Sequence, residues 1–316
     1  MTLIPDSDKI KFKDKFKERY SDLTDWDLFK TACLSFLERS IRVNTLKATV
    51  PEIKQSLNLK SWHLKPIPWC KEGFWVEQLA DGRRDVGNLL EHHLGKIYVQ
   101  EAASMIPPLV LEPRPGELVL DMCAAPGSKT TEMAAMMDNQ GLIVANDVSG
   151  ERLQALGINL QRCGVINTLI TLGTGYRFIE GQFDRILVDA PCSATGTIMR
   201  SLKTVNMWNP GMVKHLSQIQ KRLLATGFNN LKNNGTLVYS TCTLEPEEDE
   251  GVISEFLDNH PQAKLENIEL SGLKRSTPVL EFNKLTFNSE VKKCLRIWPQ
   301  DNHTEGFFVT KIRKKE

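Results

Sequence analysis

The sequence predicts a doubly wound α/β sheet of parallel strands preceded by a small α+β region, and three observations carry that prediction. Short apolar runs ending in an acid recur at 118–121, 142–147 and 185–189. Helix-forming stretches lie between them, the alternation that a parallel sheet with crossover helices requires. At 316 residues the chain is also long enough for about two domains with a proper core.

Taken in order, residues 1–40 place Phe12, Phe16, Tyr20, Leu23, Leu28, Phe29, Leu34 and Leu37 at roughly helical spacing, broken near Ser21-Asp22. Ile41-Arg-Val-Asn44, Trp62-His-Leu64 and Gly73-Phe-Trp-Val-Glu77 read as short strands, with a helix over 51–57 between the first two. The rhythm then changes. Leu118-Val-Leu-Asp121 is a strand, followed by a Pro/Gly turn and a helix over 129–137. The strand 142–147 follows, and Ser149 caps a helix that runs to about Cys163. Further strands cover 167–172, 185–189 and 235–240, the last two separated by a long amphipathic helix over 210–232. Ligands of such sheets bind at the carboxyl ends of the strands. The division expected is a region 1–98 and a second domain 99–316.

Composition excludes several classes. Hydrophobic residues make up 41% and charged residues 25% of the chain, ordinary globular usage and not that of a disordered chain. No apolar stretch approaches the ~18 residues of a membrane helix. The N-terminus alternates Lys with Asp and Glu and lacks the apolar segment of a signal peptide. A cytoplasmic protein without membrane association is expected, with a monomer favoured. The formal net charge is +1, but residues 1–65 and 264–316 each carry an excess of four basic residues, while 101–263 holds 18 acids against 12 bases. Basic flanks around an acidic centre suit a bound polyanion and equally suit ordinary solvated surfaces. Seven cysteines, with no Cys-x-x-Cys and no clustered Cys/His, indicate neither a metal site nor a disulfide framework.

Four constellations carry chemistry. In Asp121-Met-Cys-Ala-Ala-Pro-Gly-Ser-Lys-Thr130 a strand enters a small-residue turn that opens a helix, where the backbone can approach a ligand closely. It is neither a Walker A loop nor a Gly-x-Gly-x-x-Gly fingerprint, so a pyrophosphate cofactor is poorly supported. Asp147 ends the next strand, where a carboxylate can accept from both hydroxyls of a ribose. A nucleoside cofactor without a pyrophosphate cradle points to S-adenosylmethionine. Asp189-Ala-Pro-Cys-Ser193 and Ser240-Thr-Cys-Thr243 bring an acid and two thiols to strand ends, where a thiolate can be stabilised. The acidic run 245–250 reads mostly as helix capping and solvated face. Met133, Met136 and Met137 read as core packing, Trp208 as packing at a helix start, and His92, His93 and His303 as structural or surface residues. Arg200 and Lys203, on the loop after Cys192, suit either a phosphate or open solvent.

These motifs make the sequence recognisable: it resembles the Sun family of RNA cytosine-carbon-5 methyltransferases from about Ile41 to the C-terminus. The matching segments are Ile41-Arg-Val-Asn-Thr-Leu-Lys47, Tyr98-Val-Gln-Glu-Ala-Ala-Ser104, the turn 121–130, Asp189 to Ser193, Tyr239-Ser-Thr-Cys-Thr243 and Gly306-Phe-Phe-Val309. The pairing of two cysteines is the specific part. The resemblance implies a Rossmann-like class I methyltransferase sheet, an RNA-positioning N-terminal region, a tRNA or rRNA substrate and no metal. It implies that Cys123, Ala124, Ala125, Pro126, Gly127, Ser128 and Lys129 line the S-adenosylmethionine site, with Asp147 on the ribose and Arg152 close by. Asp189 holds the target cytosine and also borders the cofactor, Lys129 joins the catalytic set, Cys192 assists product release, and Cys242 is the nucleophile. The chain departs from the family at Leu172-Gly-Thr-Gly-Tyr-Arg-Phe178, where an adenine-binding acid is usual and Thr174 stands nearest. A rival within the chemistry is a small-molecule methyltransferase, which gives two thiols no job. A rival from another class is an RNA-binding assembly factor that keeps the fold and has lost the reaction.

Overall fold

The computed structural model describes residues 2–80, 85–178 and 181–316. Two N-terminal helices, α1 (Asp14–Ser21) and α2 (Trp26–Cys33), are separated at the expected break, where Asp25 caps α2 by accepting from Asp27 N and Leu28 N at 3.0 Å. Then β1 (Arg39–Val43), α3 (Val50–Asn58), β2 (Trp62–Ile67), β3 (Cys70–Gln78), α4 (Leu90–His93) and β4 (Ile97–Val99) build an antiparallel sheet of order β2-β3-β1-β4. The capping box of Thr49 and Glu52 starts α3, whose Ile53 and Leu57 pack on Ile41, Val43 and Phe74 of the sheet.

The larger sheet has the order β10-β14-β9-β8-β5-β6-β7. After α5 (Ile106–Leu111), its parallel part is built by β5 (Leu118–Asp121), α6 (Ser128–Met136), β6 (Leu142–Asp147), α7 (Gly150–Cys163), β7 (Thr168–Leu172) and β8 (Phe183–Asp189). The short α8 (Lys203–Met207) and the long α9 (Pro210–Asn229) lead into β9 (Leu231–Thr241). The chain lays β6 and β7 on one side of β5 and returns with β8 on the other, so the order reverses between β5 and β8. Asp121 and Asp189 end the two strands that flank this crevice, the place where doubly wound sheets bind ligands.

Two parts of the sheet differ from the sequence reading. The helix expected to reach residue 232 ends at Asn229, because the Asn230 side chain donates to Thr226 O and Phe178 O and turns the chain into β9 four residues early. After α10 (Glu250–Asn259), the chain adds β10 (Ala263–Glu266), the β11 (Glu281–Phe282) and β12 (Leu285–Thr286) hairpin, β13 (Leu295–Ile297), α11 (Pro299–Asn302) and β14 (Phe307–Lys314). β14 pairs antiparallel with β9 and brings Phe307 and Phe308 into the core.

The acidic run corrects its expectation outright. Glu245, Glu248, Asp249 and Glu250 are all 0% exposed. The reason is Arg296, itself fully buried, whose Nη2 lies 2.6 Å from Glu250 Oε2 and 3.1 Å from Asp249 Oδ2 while Nη1 donates to Leu244 O. Burial alone pushes the Asp249 carboxyl well up, and the Arg296 charge opposes it. Glu245 in turn accepts from Tyr20 Oη at 2.8 Å and Trp208 Nε1 at 2.9 Å and pairs with Arg19, so α1 and α2 clasp the large sheet's domain through a Phe16, Tyr20, Phe29, Trp208 and Trp298 cluster. Trp208 and Met133 are core, as expected, whereas His303 is exposed.

Removing one partner of a buried ion cluster strands the others in low dielectric. Arg296→Ala is therefore expected to lower stability by about 3–5 kcal/mol in a urea or thermal unfolding series. A change of similar kind at exposed Arg177, whose side chain bonds nothing among the described residues, is expected to stay within about 0.5 kcal/mol.

Candidate active site

The turn after β5 hugs the end of β6. Ala124 N donates to Asn146 O at 2.8 Å, and Ala125 N donates to Asp147 Oδ2 at 3.2 Å. The Ala125-Pro126 bond is cis, and Gly127 sits at φ 104°, where a Cβ would come within 2.7 Å of Leu156 Cδ1, so the turn needs glycine there. Ser128 opens α6. Asp147, buried, also accepts from Ser149 N at 3.1 Å, and Arg152 leans on it at 3.3 Å while reaching Ala125 O. Cys123, Ala124, Ala125, Pro126, Gly127, Asp147 and Arg152 are thus brought together. Burial first, then the surrounding carboxylates of Asp121, Asp189 and Asp147, push the Cys123 thiol far up and keep it neutral.

Thr174 stands at the start of the next turn, half-buried, with no side-chain hydrogen bond among the described residues. The turn is tied in by Asn146, whose Nδ2 donates to Met122 O at 3.1 Å and Gly173 O at 2.9 Å. Sequence reasoning missed Asn146, although a polar residue in the run Leu142-Ile-Val-Ala-Asn146 was its signal.

Lys129 points the other way, across the crevice. Its Nζ lies 2.7 Å from Asp189 Oδ2, while Asp189 Oδ1 accepts from Ser240 Oγ at 2.7 Å. Burial pulls the ammonium down, but Asp189 and the nearby Cys242 outweigh it and leave Lys129 raised, hence charged. The two cysteines meet above this pair, with Sγ atoms 3.1 Å apart. Their loops are locked side by side: Ser193 Oγ and Thr195 Oγ1 both bond Thr243 Oγ1, at 2.7 and 3.0 Å. Glu248, from the buried acidic run, accepts from Ser193 N at 3.0 Å and Gln220 Nε2 at 2.7 Å.

The thiols are not equivalent. Cys242 is held below the ordinary thiol value, first by the hydrogen bond with Cys192 and then by the charges of Lys129 and Arg200, against burial and the Asp189 carboxylate. Cys192 is pushed well up by the same hydrogen bond and by burial. The opposite shifts suit a Cys192 S–H that donates to Cys242 once Cys242 is ionised. Such a thiolate can attack an electrophilic carbon, and the protonated partner can exchange a proton beside it.

The family comparison decides the class. A model described as 16S rRNA methyltransferase RsmB/F matches residues 108–313, and one for the N-terminal domain of 16S rRNA methyltransferase RsmF matches residues 10–102. The chain belongs to this family of RNA cytosine-carbon-5 methyltransferases. It is 47% identical over 307 residues to a tRNA (cytosine(49)-C(5))-methyltransferase of Pyrococcus abyssi, covering 96% of this chain and 97% of that one. It is 42% identical over 293 residues to ribosomal RNA small subunit methyltransferase F of Shewanella oneidensis, covering 91% of this chain but only 60% of that longer protein. A solved methyltransferase homologue of Pyrococcus horikoshii superposes with a TM-score of 0.84 at 37% identity, covering 99% of this chain and all of that one. As a class I methyltransferase the chain takes S-adenosylmethionine as its cofactor. Among the described residues, no helix is long and apolar enough to cross a membrane, and no group of three or more His, Cys, Asp or Glu is arranged to hold a metal ion.

The residues around the β5 turn fit that cofactor. Asp121 Oδ2 accepts from Thr130 Oγ1 at 2.8 Å, but its buried Oδ1 has no partner among the described residues. Burial, with the Asp189 charge, pushes this carboxyl up to about 7. A cationic ligand group beside it would relieve that cost.

The asymmetry of the thiols is measurable. Alkylation of Cys242 by iodoacetamide, followed by peptide mass mapping, is expected to rise with pH with a midpoint below the ordinary ~8.5. Cys192→Ala removes the donated S–H and is expected to move that midpoint upward.

Proposed function

We propose that the chain methylates carbon 5 of a cytosine in tRNA through a covalent adduct with Cys242. The observation that carries this reading is the Cys192–Cys242 contact at 3.1 Å set above the Lys129–Asp189 pair. Similarity over nearly the whole length of a tRNA-specific relative favours tRNA over rRNA and makes position 49 the first to examine.

Carbon 5 of cytosine is a poor nucleophile. Attack of the Cys242 thiolate on carbon 6 turns the ring into an enamine whose carbon 5 can accept a methyl group. When bound, S-adenosylmethionine supplies that methyl group on an electrophilic sulfonium. Cys123, Ala124, Ala125, Pro126, Gly127 and Ser128 would hold it, with Asp147 on the ribose, Arg152 beside it and Thr174 towards the base. Thr174 offers a hydroxyl in place of the family's usual acid and brings no charge. Asp189 faces the ring edge and favours protonation of the ring nitrogen, which makes carbon 6 more electrophilic. Lys129 keeps Asp189 oriented and lowers the cost of a thiolate at Cys242. The carbon-5 proton must leave before the carbon-6 to sulfur bond can break, and Cys192 beside Cys242 serves as base or relay. A target base must be unpaired or flipped out to reach these groups. Residues 1–98, basic at their start, are proposed to position the RNA through its phosphates.

Two experiments test the reading. Nucleoside mass spectrometry on unmodified tRNA and rRNA fractions, incubated with the protein and S-adenosylmethionine, is expected to show 5-methylcytidine gained in the tRNA fraction. Gain in rRNA alone would reassign the substrate, and no gain with intact cofactor binding would favour a non-catalytic assembly factor. Separately, Cys242→Ala is expected to abolish both turnover and covalent RNA, while Cys192→Ala accumulates a protein–RNA adduct visible on a denaturing gel. Swapped outcomes would make Cys192 the nucleophile.

A further inference from the structure

Three segments that meet beside Cys242 hold a cation, Arg200, whose charge helps keep that thiol low and whose exposed face the chemistry above leaves without a role. Gly196 N donates to Cys242 O at 3.0 Å, and Gly306 N donates to Gly196 O at 2.9 Å. A Cβ on Gly196 would come within 2.2 Å of Gly306 O and 2.8 Å of Cys242 O, so the three strands of chain close up only around glycine. This contact fixes Arg200, four residues after Gly196, against Glu305, the residue before Gly306.

Arg200 Nε pairs with Glu305 Oε1. Glu305 is buried, and its N–H donates to Glu101 Oε1 at 3.2 Å. Glu101 is in turn fixed by Ala103 N at 2.6 Å and by the Thr304 hydroxyl. The guanidinium is therefore anchored on one side by a chain of buried groups. On its other side the Arg200 side chain is 55% exposed, and among the described residues neither Nη1 nor Nη2 donates to a protein group.

Charge and shape both point outward from there. Lys129 and Asp189 compensate each other inside the site, while the Arg200 guanidinium, charged at any working pH, sits beside a Glu305 carboxyl that burial and the Glu101 carboxylate push well up. Met199 and Thr304, the neighbours of Arg200 and Glu305, line a cleft of about 600 Å³ together with Arg39, Lys65 and Trp75, and with Glu38 and Glu77, of the N-terminal region. A strand that leaves the site on the side of Arg200 meets the exposed face of the guanidinium. A planar fork with two free nitrogens matches two oxygens of one phosphate.

We infer that Arg200, positioned by Glu305, grips the phosphate next to the target cytosine while that base lies over Cys242. This rests on the RNA methyltransferase reading above. The test uses an RNA oligonucleotide containing the cytosine that nucleoside analysis identifies, with native linkages or with one neutral methylphosphonate on its 5′ or 3′ side. Arg200→Ala is expected to raise KM for the native RNA about tenfold, the loss falling on KM more than on kcat. The slope of log KM against log salt is expected to fall by about one. One of the two methylphosphonates should cost the wild-type protein a similar factor and cost Arg200→Ala nothing further. Glu305→Ala should behave like Arg200→Ala, while Glu305→Gln, which keeps an amide oxygen beside Nε, should keep most of the affinity.

Methylphosphonate losses that add fully to that of Arg200→Ala would overturn the assignment. So would an Arg200→Ala protein with unchanged KM and a shifted kcat–pH profile, which would make Arg200 an activator of the Cys242 thiolate. Equal losses for Glu305→Gln and Glu305→Ala would remove Glu305 from the positioning role. A wild-type protein that methylates no RNA would instead sink the underlying reading, a result distinct from each of these.

Discussion

Lys129 and Asp189 stand 2.7 Å apart across the point where the sheet reverses its strand order, and the site on either side depends on that pair. Lys129 reaches it because the small-residue turn after β5 starts α6 close to the sheet. Asp189 reaches it because β8 returns next to β5. A buried pair of charges costs desolvation that only good geometry repays, and here Ser240 completes the hydrogen bonding of the carboxylate. The lysine charge lies close enough to Cys242 to offset part of what burial and the Asp189 carboxylate cost a thiolate there, and under the proposed reaction Asp189 is held in place to face the base.

The thiols need equally firm support, and most of it is buried polar structure. The run of acids after β9 would be a liability if it were solvated surface chemistry folded inward by chance. Arg296 compensates two of its carboxylates, and Glu245 ties in Tyr20, Trp208 and Arg19. Glu248 reaches the backbone beside Cys192. A single buried network thus joins the N-terminal helices, the last strands and the two cysteine loops, so the spacing of the thiols is set by the fold as a whole. Side chains held this way lose little freedom when a substrate arrives, which is the advantage of an organised site over a mobile one.

How much of this was legible follows from the range of the interactions. Asp121, Asp147, Asp189, Cys192 and Cys242 could be read because each ends a strand or lies in the turn just after one, and strand ends follow from local apolar runs and turn residues. The turn 123–128 was legible for the same reason, as was its neighbour Asp147 at the end of β6. Arg296 with Glu250, Arg200 with Glu305 and Tyr20 with Glu245 were not, because their partners lie 46, 105 and 225 residues apart and no local pattern links them. The acidic run misled because charge density ordinarily means solvent, and only the buried arginine reverses that. The early start of β9 was hidden because Asn230 ends α9 through contacts that include Phe178, on another segment.

The central claim is that Cys242, and not its neighbour 3.1 Å away, bonds to the base. RNA carrying 5-fluorocytidine at the methylated position tests it on the unaltered protein. Fluorine cannot leave carbon 5 as a proton does, so the adduct persists after methylation and can be digested and mapped by mass spectrometry. The account predicts a nucleotide on the peptide containing Cys242. A nucleotide on the peptide containing Cys192 would contradict it.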